Sequence, residues 1–181
     1  ALENMTRWDW GQDLFEWFEY YLQERGPKPS LDAQIQRNDG QWRIEESWPP
    51  TDRVPFTLDL GDCGNDGAFV GGGPSVVGGG QTVTVECPDI NEDTDIHISG
   101  LPTLHLSAVP TFDGGQVFIE MQDAETGMRL GHATMDVRYH EGGYDPQTVI
   151  PGQQITMMME FQGIDALLPA GHGLRFIFSD Q

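Results

Sequence analysis

Over the second half of the chain, apolar and polar residues alternate one by one in short runs separated by turn residues. Leu104, Leu106 and Ala108 alternate with His105 and Ser107, and Val117, Ile119 and Met121 repeat the pattern ahead of a turn at 123–127. The run 130–139 alternates again and ends in the loop 141–152. Ile155, Met157, Met159 and Phe161 then form one face of a strand, and Leu174, Phe176 and Phe178 one face of the last. Successive side chains of a β-strand point to opposite faces, so period two means strands with one buried side. Many short strands with turns between them predict an all-β fold, a β-sandwich or jelly roll. No repeat of about 20 to 50 residues is present, which argues against a propeller or a solenoid.

The first half divides in two. Residues 6–25 read as one helix, with Trp10, Leu14, Trp17, Phe18, Tyr21 and Leu22 at three- and four-residue spacing. Trp8 and Phe15 widen the stripe, Thr6 or Asn4 could cap the start, and Gly26-Pro27 stops it. So many aromatics need a large surface to bury them. The helix either docks on the β domain or belongs to a neighbour, and the aromatic excess favours the neighbour. From Leu31 the period changes to two. Runs 33–37 and 42–45 flank the tight turn Asn38-Asp39-Gly40, Trp48-Pro49-Pro50 interrupts, and 54–60 resumes as a strand. A glycine-rich loop over 61–80 precedes another strand at 82–87.

Charge narrows the function. The 29 acidic and 9 basic side chains leave a formal charge of -20 on 181 residues. That field repels phosphate, which excludes nucleic-acid binding through charge neutralisation. No apolar run approaches the roughly 18 residues of a membrane helix, so no membrane partner is expected, and no signal-peptide pattern opens the chain. Lys28 is the single lysine, and 17 Asp outnumber 12 Glu. Short carboxylates hold water and cations, and at molar salt the Debye length falls to about 3 Å. The composition therefore reads as adaptation to high salt; the alternative is an ordinary acidic surface.

No constellation for chemistry emerges. A serine nucleophile needs a base within hydrogen-bond reach and an elbow of the G-x-S-x-G type, which is absent. Ser75 sits in the glycine-rich loop, and Ser47, Ser99, Ser107 and Ser179 read as strand or turn residues. His97 and His105 flank a turn without zinc-ligand spacing. His172 reads as a residue that hydrogen-bonds a loop. Asp89, Asn91, Asp93 and Asp95 alternate as calcium ligands do, but Thr94 and Gly100 stand where an EF-hand needs Gly and Glu. A solvated acidic loop is the simpler reading. We expect no catalytic residue, no cofactor and no metal in this chain. Cys63 and Cys87 are the only cysteines. They either form a disulfide, worth about 3 kcal/mol in the chain-entropy model, or remain two thiols.

Several segments in order resemble a known family. They are Ile98-Ser99-Gly100-Leu101-Pro102-Thr103-Leu104-His105-Leu106, the run 117–131 with Asp123, Gly131-His132-Ala133-Thr134-Met135-Asp136, Pro151-Gly152-Gln153 and Leu168-Pro169-Ala170-Gly171-His172-Gly173-Leu174-Arg175. Together they resemble the C-terminal, non-catalytic domain of X-prolyl dipeptidyl-peptidases and cocaine-esterase-like serine hydrolases; Trp48-Pro49-Pro50 also fits. The resemblance implies a galactose-binding-like jelly roll over 31–181, packed on an α/β-hydrolase domain that carries the catalytic Ser, Asp and His. It implies that 1–30 is the last helix and linker of that hydrolase domain, which would be the partner. It also implies a further strand beyond Ser179-Asp180-Gln181. The expected role is an accessory domain covering the substrate cleft. The rival is a free-standing carbohydrate-binding module stacking sugars on Trp42, Trp48 or Phe69.

Overall fold

The structure, a computed structural model, describes residues 10–63, 82–88, 90 and 93–179. It divides into two units, Ala1–Thr51 and Asp52–Gln181. In the first unit, helix α1 spans Trp10–Gln23 and buries none of its residues. Trp17 stacks tilted on Tyr21 at 4.8 Å between ring centres and meets Phe18 edge-on at 5.4 Å. The helix closes at Glu24, whose φ of 55° turns the chain left-handed two residues before Gly26. The Glu24 N–H still donates to the Tyr20 carbonyl at 3.1 Å, and the Arg25 N–H reaches Glu19 at 3.0 Å. Trp8 and the expected caps Thr6 and Asn4 lie outside the described residues.

Strands β1 (Ala33–Gln36) and β2 (Trp42–Glu45) form the expected hairpin, with Ala33 opposite Glu45 and Gln36 opposite Trp42. Gly40 closes it at φ 84°, a conformation glycine adopts without a Cβ penalty.

The second unit holds β3 (Val83–Cys87), β4 (Ile96–Gly100), β5 (Thr103–Ala108), β6 (Gln116–Asp123), β7 (Arg129–Asp136), β8 (Ile155–Glu160), β9 (Ile164–Leu168) and β10 (Leu174–Ser179). Their pairing is nested and antiparallel: β6 with β7, β5 with β8, β4 with β9 and β3 with β10. Such nesting is one long hairpin rolled on itself, its tip at 124–128. Rolling brings β6 against the free side of β10, which gives the sheet order β3-β10-β6-β7. This is the winding of a jelly-roll sandwich. β10 is paired on both sides, so the edges of that sheet are β3 and β7.

The other strands form one ribbon with a break. Gly100 pairs with Ile164 and Thr103 with Glu160, so two residues on one side oppose three on the other. An extra residue on one side of a ladder bends it. At the bend, the Phe161 N–H donates to the Pro102 carbonyl at 2.9 Å, and the ring of Phe161 is buried. β7 passes close by: a Cβ on Gly131 would meet the Ile164 Cγ2 at 2.9 Å, so any larger residue there would have to displace the Ile164 side chain.

Between the layers, Val85, Ile119, Met121, Met157, Met159, Leu168, Leu174, Phe176 and Phe178 join one apolar core. The alternation that predicted the strands is the alternation seen: β8 and β6 bury every second residue. Two differences stand out. Residues 54–60 form no strand, because Pro55 offers no donor; Leu58 and Leu60 pack on the core while Val54 and Phe56 face solvent. β4 and β9 are strands that the alternation does not single out. Each has five residues, and Asp165 and Ala166 are poor strand formers.

Candidate functional site

The polar groups converge where β10 begins. There Leu174 lies opposite Cys87 on one side and opposite Asp123 on the other, a row across three strands. Asp123 ends β6 and organises the turn to β7. Its Oδ1 accepts the N–H groups of Glu125 at 3.0 Å and Thr126 at 3.2 Å, while its own N–H donates to the Met128 carbonyl. This is the Asx-turn geometry that aspartate favours at loop starts. The carboxylate is 2% exposed and meets the Nδ1 of His172 at 3.0 and 3.1 Å.

The two turns are tied twice more. The Gly173 N–H donates to Glu125 Oε2 at 2.8 Å, and the Gly173 carbonyl accepts from the Ala124 N–H at 3.0 Å. Gly173 cannot be anything else: a Cβ there would stand 2.5 Å from the Cys87 carbonyl oxygen. Burial pushes the Asp123 carboxyl up, but the hydrogen bonds from His172, Thr126 and Glu125 outweigh it and hold it below the ordinary value.

Asp123, Glu125 and His172 place three donor atoms within 4.8 Å of one another, a set that could hold a cation. Each of those atoms already has a hydrogen-bond partner within the turns, so the arrangement is accounted for without an ion.

The loop hydrogen bond expected of His172 is present, and Asp123 is its partner. Asp123 and His172 had each been singled out in the sequence, but their pairing had no signal, since 49 residues separate them. A second pair had none either: His97 on β4 meets Asp165 on β9 at 2.8 Å. Of the alternating acidic set, Asp95 accepts the Ala170 N–H at 3.0 Å, and Asp89 and Asn91 lie outside the described residues. Ser75 lies outside them as well, whereas Ser99 is on β4, Ser107 on β5 and Ser179 at the end of β10. Cys63 and Cys87 form a disulfide, which settles the alternative that the sequence left open. Trp42 and Trp48 belong to the first unit, and Phe69 is outside the described residues.

A rolled sandwich of eight strands among the described residues, whose buried polar groups bind its own turns, is a jelly-roll β-domain. Residues 90–179 match the family described as the X-Pro dipeptidyl-peptidase C-terminal non-catalytic domain, and this part of the chain belongs to that family. No curated protein sequence matches the chain. Among solved structures, it is similar to a CocE/NonD family hydrolase from Staphylococcus aureus, with a TM-score of 0.59 at 13% identity over 97% of this chain and 39% of that one. It is also similar to an aminopeptidase from a marine sediment Thaumarchaeota archaeon, with a TM-score of 0.58 at 12% identity over 96% of this chain and 37% of that one. An α-amino acid ester hydrolase gives a TM-score of 0.57 at 15% identity, over 93% and 36%. At such identities the likeness is one of fold. The chain spans less than two fifths of the length of these structures.

Proposed function

We propose that this chain is the accessory C-terminal region of a serine hydrolase, and that its jelly roll covers the substrate cleft of an α/β-hydrolase domain. The parent reaction is acyl transfer to water, from a peptide with a penultimate proline or from an acyl ester. The observation that carries the reading is the family match over 90–179. Helix α1 supports it: Trp10, Phe15, Trp17, Phe18, Tyr21 and Leu22 are 40% exposed or more, an apolar stripe suited to a second body. We assign 1–30 to the hydrolase domain as its last helix and linker. The sandwich contributes shape and orientation, and the nucleophile, base and oxyanion donors come from the partner.

The test compares this chain with the full hydrolase polypeptide on a chromogenic X-Pro dipeptide amide and on an aryl acyl ester. The expected result is turnover of one substrate by the full polypeptide and none by the chain alone. Trp17→Ala with Phe18→Ala should lower the melting temperature of the full polypeptide. Turnover by the isolated chain would overturn the accessory role, and an unchanged melting profile would overturn the docking role of α1.

A further inference from the structure

The disulfide lies outside everything the proposed function uses, and its two ends differ. Cys87 is 1% exposed and set in β3, where it pairs with Leu174 in a ladder of five residue pairs with β10. Cys63 is only partly buried and ends a strap of chain, 52–63, that has no strand. Hydrogen bonds near the end of the strap are local: Gly61 N–H to Asp59 Oδ1 at 2.9 Å, Asp62 N–H to the Asp59 carbonyl at 3.1 Å and Cys63 N–H to the Leu60 carbonyl at 3.2 Å. Leu58, Leu60 and Cys63 rest on the core, while Val54 and Phe56 are 87% and 66% exposed. Leu58, Leu60 and the S–S bond thus join the later part of this strap to the core.

We propose that the Cys63–Cys87 bond is a redox-operated latch on the 52–63 strap, which a dithiol reductant opens while the sandwich stays folded. Of the two half-cystines Cys63 is the one that is not fully buried, so a thiolate attacks at its sulfur. Attack there forms a mixed disulfide and breaks the Cys63–Cys87 bond, and the electron pair leaves on the Cys87 sulfur, which takes up a proton. The second thiol of the reductant then closes its own disulfide and frees the Cys63 thiol. The protein gains two electrons and two protons, and the dithiol is oxidised. The ladder of β3 uses backbone groups and survives this step, and so does the core, of which Cys87 is one member among many. What is lost is the closure of a loop spanning 24 residues of separation, the constraint that holds the strap down.

Amide hydrogen exchange on the full chain tests this, in non-denaturing buffer with and without dithiothreitol, with reduction followed by intact mass. On reduction, the amides of 61–63 should exchange about a hundredfold faster or more, the scale that loop-closure entropy sets. Those of Ile119, Met121 and Phe176 should keep their protection, and reoxidation should restore the strap. A Cys63→Ser, Cys87→Ser variant should show the open strap without reductant. Three results overturn the latch: a bond that resists dithiothreitol in the folded state, a reduced chain whose strap exchanges as before, or loss of protection in β6 and β10 together with the strap.

Discussion

Replacing Asp123 by alanine removes the acceptor that binds two turns together, and the size of the loss follows from its partners. The N–H groups of Glu125 and Thr126 and the ring of His172 all lose an acceptor. A buried donor left unpaired costs about 1–3 kcal/mol. The two N–H groups lie in a turn that water can enter, since Glu125 and Thr126 are exposed, so each falls at the low end. His172, with a side chain 25% exposed, loses a charged partner. Together these give about 3 kcal/mol of destabilisation for Asp123→Ala at neutral pH. Asp123→Asn keeps an oxygen for the two N–H groups but loses the charge and puts an amide NH2 where Oδ2 accepted from His172, so it should cost about 1–2 kcal/mol. Urea unfolding should be followed by far-UV circular dichroism, which reads the strands of the sandwich directly, because all five tryptophans of the sequence lie before residue 52. The pH dependence supplies a second signature. A carboxyl held below its ordinary value binds its proton less readily when folded. Its contribution is complete above the unfolded pKa of about 3.9 and is lost as pH falls through the lower folded value. Wild type should therefore weaken as the medium is acidified below about pH 4, and Asp123→Asn should flatten part of that slope. A loss under about 1 kcal/mol for Asp123→Ala, or Asn costing as much as Ala, would refute the assignment.

Two further outcomes follow. Gly173→Ala forces a Cβ toward the Cys87 carbonyl and the Pro88 Cα, both backbone, and should cost about 2 kcal/mol or more in the same urea assay; a neutral result would mean that Gly173 does not press on the end of β3. Raising NaCl from 0.1 to 1 M shortens the Debye length from about 10 to about 3 Å and screens the self-repulsion of a -20 charge, so the melting temperature should rise by several degrees; a flat or falling curve would remove the high-salt reading.

Period two located β5, β6, β7, β8 and β10 because each turns alternate residues toward a shared core, fully buried in β6 and β8 and partly buried in β5, and that one-sided contact leaves its mark on hydrophobicity directly. The hairpin of β1 and β2 was equally legible, since Asn38-Asp39-Gly40 fixes the turn locally. The same rule misread 54–60, where Leu58 and Leu60 keep the spacing of a strand without a ladder. Alternation reports which side of an extended chain meets the core. It does not report whether the backbone finds a partner, and Pro55 was the only local hint that it would not.

The site was less legible for a different reason. Asp123 announces its turn, because an aspartate followed by Gly127 four residues later is local chemistry. Its partner depends on rolling, which sets β6 beside β10 and so carries the turn before β10 up against the turn after β6. Nothing near His172 encodes that meeting, apart from Gly171 and Gly173 on either side of it. Gly171 has a φ of 77°, and Gly173 presses against Cys87. Two glycines around a single histidine mark a backbone squeezed by something distant in sequence, and here that something is both Asp123 and β3. One end of the sandwich is therefore locked twice through the same first residue of β10, by a disulfided strand on one side and a buried carboxylate on the other. Asp123→Ala and Gly173→Ala should then be non-additive in a double-mutant cycle by the same urea assay, since a displaced Gly173 also loses its hydrogen bonds to Glu125 and Ala124 in the turn that Asp123 organises.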